Sequence, residues 1–298
     1  MDINRYLQEK KERVDSALEK YLPKRENLTL NLHKAMEHSL FAGGKRIRPI
    51  LSIASFEAAG GKGERILPFA CALEMIHTYS LIHDDLPAID NDDTRRGKPT
   101  CHKVFGEAIA ILAGDGLLTE AFRLMANRPE KDHSSCDDAL VLDLINEVAH
   151  AAGILGMVGG QVVDVESEGR VVDLPTVQYI HTHKTGAMIL ASVRVGAKLG
   201  GAKEPLLKAL TRYGESLGLA FQIADDVLNV EGQAALMGKQ AGSDRVKGKA
   251  TYPSVLGVEE SKIRSRELVE MAGDALKSLG PEADPLREIA RFVVAREY

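Results

Sequence analysis

"LLKALTRYGESLGLAFQIADDVLNV", residues 206–230, carries one period from end to end. On a helix of about 3.6 residues per turn, Leu206, Leu210, Tyr213, Leu217, Ala220, Ala224 and Val227 fall on one side. Gln222, Asp225, Asp226 and Asn229 fall on the opposite side, at i, i+3, i+4 and i+7. A stripe this long needs other helices to cover it. The polar side is unusual too. A solvated helical face mixes signs, yet no Lys or Arg lies within a turn of these aspartates. Gly218, one turn earlier on that side, leaves room for a close approach at some cost in helix propensity.

The same period runs through most of the chain. Apolar helical segments are expected at 2–21, 28–40, 47–59, 65–86, 104–127, 138–166, 175–199, 204–230, 251–256, 262–278 and near 285–296. Short breakers such as "GGKG", "GGAKEP" and "SLGPEADP" separate them. Sustained alternation with β-branched enrichment is missing, so no sheet is expected. Neither a linker nor a solenoid repeat divides the chain. The expectation is one all-α domain over residues 1–298, built from about ten helices.

A second acidic cluster lies at "HDDLPAIDNDDTRRG", residues 83–97, after the apolar helix "EMIHTYSLIH". Five aspartates in fifteen positions repel one another, and folding gains nothing from them unless a cation or ligand resolves the repulsion. Two such clusters at the ends of apolar helices suit a hard divalent cation. Mg²⁺ takes oxygen ligands, keeps several waters and is commonly shared between carboxylates and substrate phosphates. That reading requires basic side chains for the remaining phosphate charge. They occur as Lys45, Arg46 and Arg48 in "GGKRIRP", Arg95, Arg96 and Lys98 in "TRRGKP", Lys184 with Thr185 in "HKTG", and Lys239, Lys247 and Lys249 farther on. Together they point to a polyanion held by metals and arginines.

Composition narrows the class. The 298 residues are 44% hydrophobic and 27% charged, ordinary for a protein with a large core. A net charge of −5, no Trp and 5% aromatics argue against a nucleic-acid groove. Cys71, Cys101 and Cys136 are too scattered for a disulfide framework or zinc knuckle, which fits a reducing compartment. The start lacks a signal peptide's apolar core and no apolar run is long enough to insert stably in a membrane, so a cytoplasmic location is expected.

These residues bring the chain to a family. "GGKRIRP", "HTYSLIHDDLPAIDNDDTRRGKPTCH", "GGQVVD", "HKTGAM", "FQIADDVLN" and "GKATYP", in that order, closely resemble the trans-prenyltransferases of the farnesyl and geranylgeranyl diphosphate synthase family. The resemblance runs essentially end to end. It implies an isoprenoid-synthase-type helical bundle around a deep apolar cavity, as a homodimer, with the two aspartate motifs facing each other across the mouth. It implies three Mg²⁺ per site, with Mn²⁺ as a substitute, bridging the allylic diphosphate to Asp84, Asp90 and Asp225. Asp85 and Asp226 would support them. Arg95, Lys184, Thr185, Gln222, Lys239 and Lys249 would complete that site. Gly44, Lys45, Arg48, His77 and Arg96 would hold isopentenyl diphosphate. The implied reaction is ionisation of the allylic diphosphate, attack by the acceptor double bond, and proton loss to the departing diphosphate.

Finer expectations follow. His77 stands seven positions before Asp84, on nearly the same side of its helix. Gln161 and Asp164 in "GGQVVD" are read as polar cavity lining. His83 is read as a structural hydrogen-bonding group rather than a base. Asp84-Asp85-x4-Asp90 is two residues longer than the family's shorter form. Pro87 should break the helix there, and the insertion would let Asp90 rejoin Asp84. Asn229 replaces the usual third aspartate of the second motif. By resemblance, Tyr79, five before Asp84, forms the cavity floor with small Ser80 beside it. This sets farnesyl diphosphate as the product, with geranylgeranyl diphosphate (C20) as the alternative. Ideal helix geometry alone does not place Tyr79 beneath the metals. A phosphohydrolase of the HD type would need more histidines, and a terpene cyclase would not need the Lys45–Arg48 run. A non-catalytic partner subunit is the remaining alternative of another class, and such chains tend to lose the aspartates kept here.

Overall fold

The computed structural model describes residues 1–127, 137–231 and 248–295, and these are helical almost throughout. At its centre is α4 (Leu67–Asp84), apolar on all sides, with Pro68 in its first turn where no backbone N–H is needed. Leu73, Met75 and Ile76 have no solvent exposure, and each such side chain contributes about 1.5–3 kcal/mol by leaving water. The helices α1 (Ile3–Tyr21), α2 (Leu30–Leu40), α3 (Ile47–Ala58) and α6 (Glu107–Ala126) pack on α4. The short α5 (Cys101–Phe105) leads into α6.

A second cluster joins α3 and α10 (Ala187–Leu199) to α11 (Glu204–Glu231), α13 (Val258–Ala275) and α14 (Asp284–Ala295). A third, smaller one gathers α9 (Leu174–Ile180) and α12 (Tyr252–Leu256) on α11. On α11, Leu210, Tyr213, Leu217, Ala220, Ala224 and Val227 are buried and Leu206 partly so. The opposite face is not simply wet: Asp226 and Asn229 are only 3% and 2% exposed.

Three departures from the sequence reading have physical causes. The apolar run 138–166 is two helices, α7 (Asp138–Ala152) and α8 (Met157–Ser167). A Cβ on Gly156 would sit 2.1 Å from the Ala151 carbonyl oxygen, so the turn between them depends on glycine. Residues Asp138–Ser167 are long and apolar enough to cross a membrane by composition alone, but the break leaves helices of 15 and 11 residues. The segment 175–199 contains a π-helical turn, His181–Gly186. Residues 94–99 form a small antiparallel ribbon, β1 (Thr94–Arg95) with β2 (Lys98–Pro99). Its turn residues Arg96 and Gly97 have φ of 53° and 72°, the pair of positive values that a tight hairpin requires.

Candidate active site

Helix α4 ends at Asp84, before Pro87, and the chain then closes a loop on itself. The Asp90 N–H donates to the Asp84 carbonyl at 2.8 Å, and the Asn91 N–H to that of Leu86 at 3.0 Å. The inserted residues therefore bulge outward and return Asp90 beside Asp84. Burial first, and the negative charge of Asp90 with it, hold the Asp84 carboxyl above its ordinary value against Lys184, Arg95 and Lys249. Two carboxyls crowded this way favour a cation between them. Asp85 is buried and gripped by Arg95, with Nε 2.8 Å and Nη2 2.6 Å from Oδ1.

The opposing wall is built on Asp226. Its Oδ2 accepts from His181 Nε2 at 2.7 Å and from the Tyr252 N–H at 3.0 Å, and its Oδ1 accepts from Gln222 Nε2 at 3.1 Å. One carboxylate thus ties the π turn and the start of α12 to α11. The turn itself is clamped by glycines. A Cβ on Gly160 would lie 2.2 Å from the Lys184 nitrogen, and one on Gly218 would lie 2.9 Å from Gly186 Cα. The close approach for which Gly218 leaves room is therefore another segment of backbone. Within the turn, Lys184 Nζ donates to Asp164 at 2.6 Å and Thr185 Oγ1 to Gln222 at 2.9 Å. From the segment before α12, Lys249 Nζ reaches Asp90 at 2.8 Å, across 159 positions of sequence. The lysine beside the second motif's strap thus touches the first motif.

A cationic pocket adjoins the acidic one. Arg48 and Arg96 are held below the ordinary guanidinium value, by burial first and, for each, by neighbouring arginine charge. His77 is pushed well below the ordinary imidazole range by burial, then by Arg48, Arg96, Arg95 and Arg46. Arg48 Nε is buried without a hydrogen-bond partner. Arg96 Nη1 donates to the Gly43 carbonyl, and its guanidinium fills the space of a Gly44 side chain, with Cζ 2.6 Å from an added Cβ. Gly44 has φ +120°, a conformation that favours glycine. Asp225 is half-buried and its negative charge acts on Arg48. Lys45 is exposed.

Arg46, counted above among the basic side chains of "GGKRIRP" but not in the acceptor set that the resemblance implies, does not belong to this pocket. It is 3% exposed and bonded to Glu74 at 2.7 Å, Asp15 at 2.8 Å and the Leu40 carbonyl at 2.6 Å. Its φ of 53° turns it inward at the start of α3 while Arg48 points the other way, into the cavity lining. Lys239 and Lys247 lie outside the described residues.

Between the two charged regions a cavity of about 300 Å³ is lined by Arg48, His77, Tyr79, Ser80, Asp84, Lys184 and Thr185, with Met157, Val158 and Val162 on the far side. Tyr79 and Asp84 therefore share one cavity, which the straight-helix estimate did not predict. Ser80 Oγ donates to the His77 carbonyl at 2.9 Å. Gln161, also lining it, has a buried Oε1 with no partner. Asp164 lines an adjoining polar cavity of about 120 Å³ together with Lys184, Thr185, Gln222, Asp226 and Lys249.

The donor set fits Mg²⁺. Its members are hard oxygens, and Asp84 with Asp90 forms a crowded pair. Among the described residues no group of three or more His, Cys, Asp or Glu side chains is gathered into a closed cage. Mg²⁺ does not need one, since it retains waters and shares its shell with phosphate. His181 is the residue that the sequence reading passed over: its pairing with Asp226 spans 45 positions, and only its place two residues before His183 in "HTHKTG" hinted at it.

Comparison with known proteins agrees with this geometry. The polyprenyl synthetase family model matches residues 30–280. The chain is 47% identical over 298 residues to a farnesyl diphosphate synthase of Geobacillus stearothermophilus, covering 100% of this chain and 99% of that one. It is 50% identical over 292 residues to a geranylgeranyl diphosphate synthase of Cyanophora paradoxa, covering 98% and 95%. Among solved structures, an apo FPP/GFPP synthase from Zymomonas mobilis superposes with a TM-score of 0.86 at 38% identity, covering 98% and 99%.

Proposed function

The chain belongs to the polyprenyl synthetase family and is a prenyltransferase, and from that premise we propose that it joins isopentenyl diphosphate to dimethylallyl and geranyl diphosphates to give farnesyl diphosphate. One observation carries this reading. Asp84 of the crowded carboxylate pair lines the same apolar cavity as Lys184 and Arg48, the latter with an unpartnered buried nitrogen. That is the layout for two diphosphates whose hydrocarbon tails meet.

On this reading Asp84, Asp90 and Asp225 hold Mg²⁺, which when bound neutralises charge on the leaving diphosphate. Lys184, Thr185, Gln222, Arg95 and Lys249 orient that diphosphate. Asp85 keeps Arg95 in place, and Asp226 keeps Gln222 and the Lys249 segment in place. Gly44, Lys45, Arg48, Arg96 and His77 hold the acceptor diphosphate, with its double bond directed at the allylic C1. The allylic C1–O bond breaks with its electrons on the diphosphate. The acceptor's π electrons form the new C–C bond, and a proton passes to the departing diphosphate. No side chain is needed as a base; His83 is occupied, its Nε2 donating to the Ile111 carbonyl at 3.0 Å.

Tyr79 is read as the floor of the cavity, which favours C15 over C20. Labelled isopentenyl diphosphate, incubated with each allylic primer and resolved by chromatography, should give farnesyl diphosphate as the main product. Tyr79→Ala should extend it by at least one five-carbon unit. Dominant C20 from the unaltered enzyme would overturn the C15 reading, and no incorporation at all would favour a non-catalytic subunit.

Asn229 lies buried one turn beyond Asp225. Its amide can bond a metal-bound water but brings no charge. Asn229→Asp should leave the product unchanged and lower the Mg²⁺ concentration that gives half-maximal rate. A requirement that rises or stays put would remove Asn229 from the metal's surroundings.

We read the active form as a homodimer and the whole chain as one catalytic domain. Exposed Ile111 and Leu112 on α6 and Leu142 on α7 support an apolar surface that a second copy would cover. A cytoplasmic location is supported by Cys71 and Cys101, which are free.

A further inference from the structure

We infer that His83 is a specificity-determining residue: it braces Tyr79 from behind and so helps to fix where chain growth stops. The inference rests on the reading of Tyr79 as the floor.

Tyr79 and His83 are one turn apart on α4, so their side chains meet on one face. Their rings stand edge to face, with centroids 5.5 Å apart and planes at 84°. Both line the apolar cavity. The Tyr79 ring cannot move toward α6 without displacing that of His83, and the His83 ring is itself held. Its Nε2 lies 3.0 Å from the Ile111 carbonyl oxygen, which can only accept, so Nε2 carries the proton. The Asp115 carboxylate stands 4.0 Å from the same nitrogen.

Helix α6 is shaped to admit the ring. Gly114 sits in the middle of this twenty-residue helix, where glycine weakens a helix relative to alanine. A Cβ there would lie 2.1 Å from His83 Nε2 and 2.5 Å from Cδ2. The glycine is accounted for by the imidazole that it lets in. Ile111 and Gly114 thus act on the cavity floor through His83, although neither is in the cavity lining.

The test is the C20:C15 product ratio with geranyl diphosphate as primer and labelled isopentenyl diphosphate as acceptor. The ratio is read per turnover, so a smaller folded fraction does not enter it. His83→Ala and Gly114→Ala should each raise it about fivefold, the factor that an edge-to-face ring pair is worth. His83 adjoins Asp84; should His83→Ala turn over too slowly to read, Gly114→Ala, remote from the diphosphates, decides. In Tyr79→Ala/His83→Ala the ratio should equal that of Tyr79→Ala alone, because a brace has no effect once its ring is gone. A further rise in the double variant would show that His83 acts independently of Tyr79 and would overturn the inference. A wild-type ratio in both His83→Ala and Gly114→Ala, with Tyr79→Ala making C20, overturns the brace and leaves the floor standing. Tyr79→Ala stopping at C15 removes the floor, and the brace with it.

Discussion

Asp84→Ala and Asp225→Ala should each lower turnover by about a thousandfold, with a chelator abolishing activity and added Mg²⁺ restoring it. The reason lies in what each carboxylate does in the folded chain. Asp84 is half-buried beside buried Asp90 at the end of an apolar helix, an arrangement that costs stability unless a cation offsets it. Asp225 lies half-buried on the polar side of α11, its charge acting on Arg48. Neither truncation opens a large apolar void, so folded protein should be recovered in both. Helical content by circular dichroism should match the unaltered enzyme while kcat falls. Near-normal turnover in either variant would remove the carboxylate–metal mechanism.

The contrast with the other aspartates sharpens the test. Asp85 is bound to Arg95, and Asp226 accepts three hydrogen bonds from the π turn, α11 and α12. Both carboxylates are committed to protein donors, Asp85 to one guanidinium and Asp226 to three separate groups. They hold other groups in place.

What could be read from the sequence was whatever repeats locally. The stripe on α11 is periodic and its residues from Leu210 to Val227 are buried, although the helix is also buried all round at Ser216–Ala220 and Asp226–Asn229. Asp84 to Asp90 could be seen as an acidic loop interrupted by Pro87, and the loop does bring the two together. Unreadable features depend on contacts distant along the chain. No pattern in "GGKRIRP" separates Arg46, turned inward to Glu74, from Arg48, turned to the cavity; the difference is a positive φ at one residue. Gly153, Gly156, Gly159 and Gly160 sit in an apolar run that reads as one helix. The break shows only when Ala151 and Ile154 carbonyls are seen to occupy the space of missing Cβ atoms. The polar face of α11 was ambiguous for the same reason. Whether Asp226 is wet depends on His181 and Tyr252, which are 45 and 26 positions away.

Arg46→Met should cost about 3–5 kcal/mol of stability, because it strips the partner from a buried carboxylate and leaves that charge uncompensated. Arg46 and Glu74 have side-chain exposures of only 1% and 2%, and they meet at 2.7 Å. Burial works against the Arg46 charge, yet Glu74 and Asp15 outweigh it and hold the guanidinium above its ordinary value. Methionine keeps the length of the side chain and adds no new strain at φ 53°, since it replaces one L residue by another. The double variant Arg46→Met/Glu74→Met should regain most of the loss, because replacing both members of a buried pair by apolar groups is often close to neutral. Asp15 survives in that background: it is more exposed and keeps Lys11 at 3.1 Å. Urea unfolding with an unchanged m-value measures both variants. A single variant within about 1 kcal/mol of the parent, with KM for isopentenyl diphosphate raised instead, would return Arg46 to the diphosphate site. The expected result is the reverse, since every nitrogen of the guanidinium already has a partner on the protein side of α3.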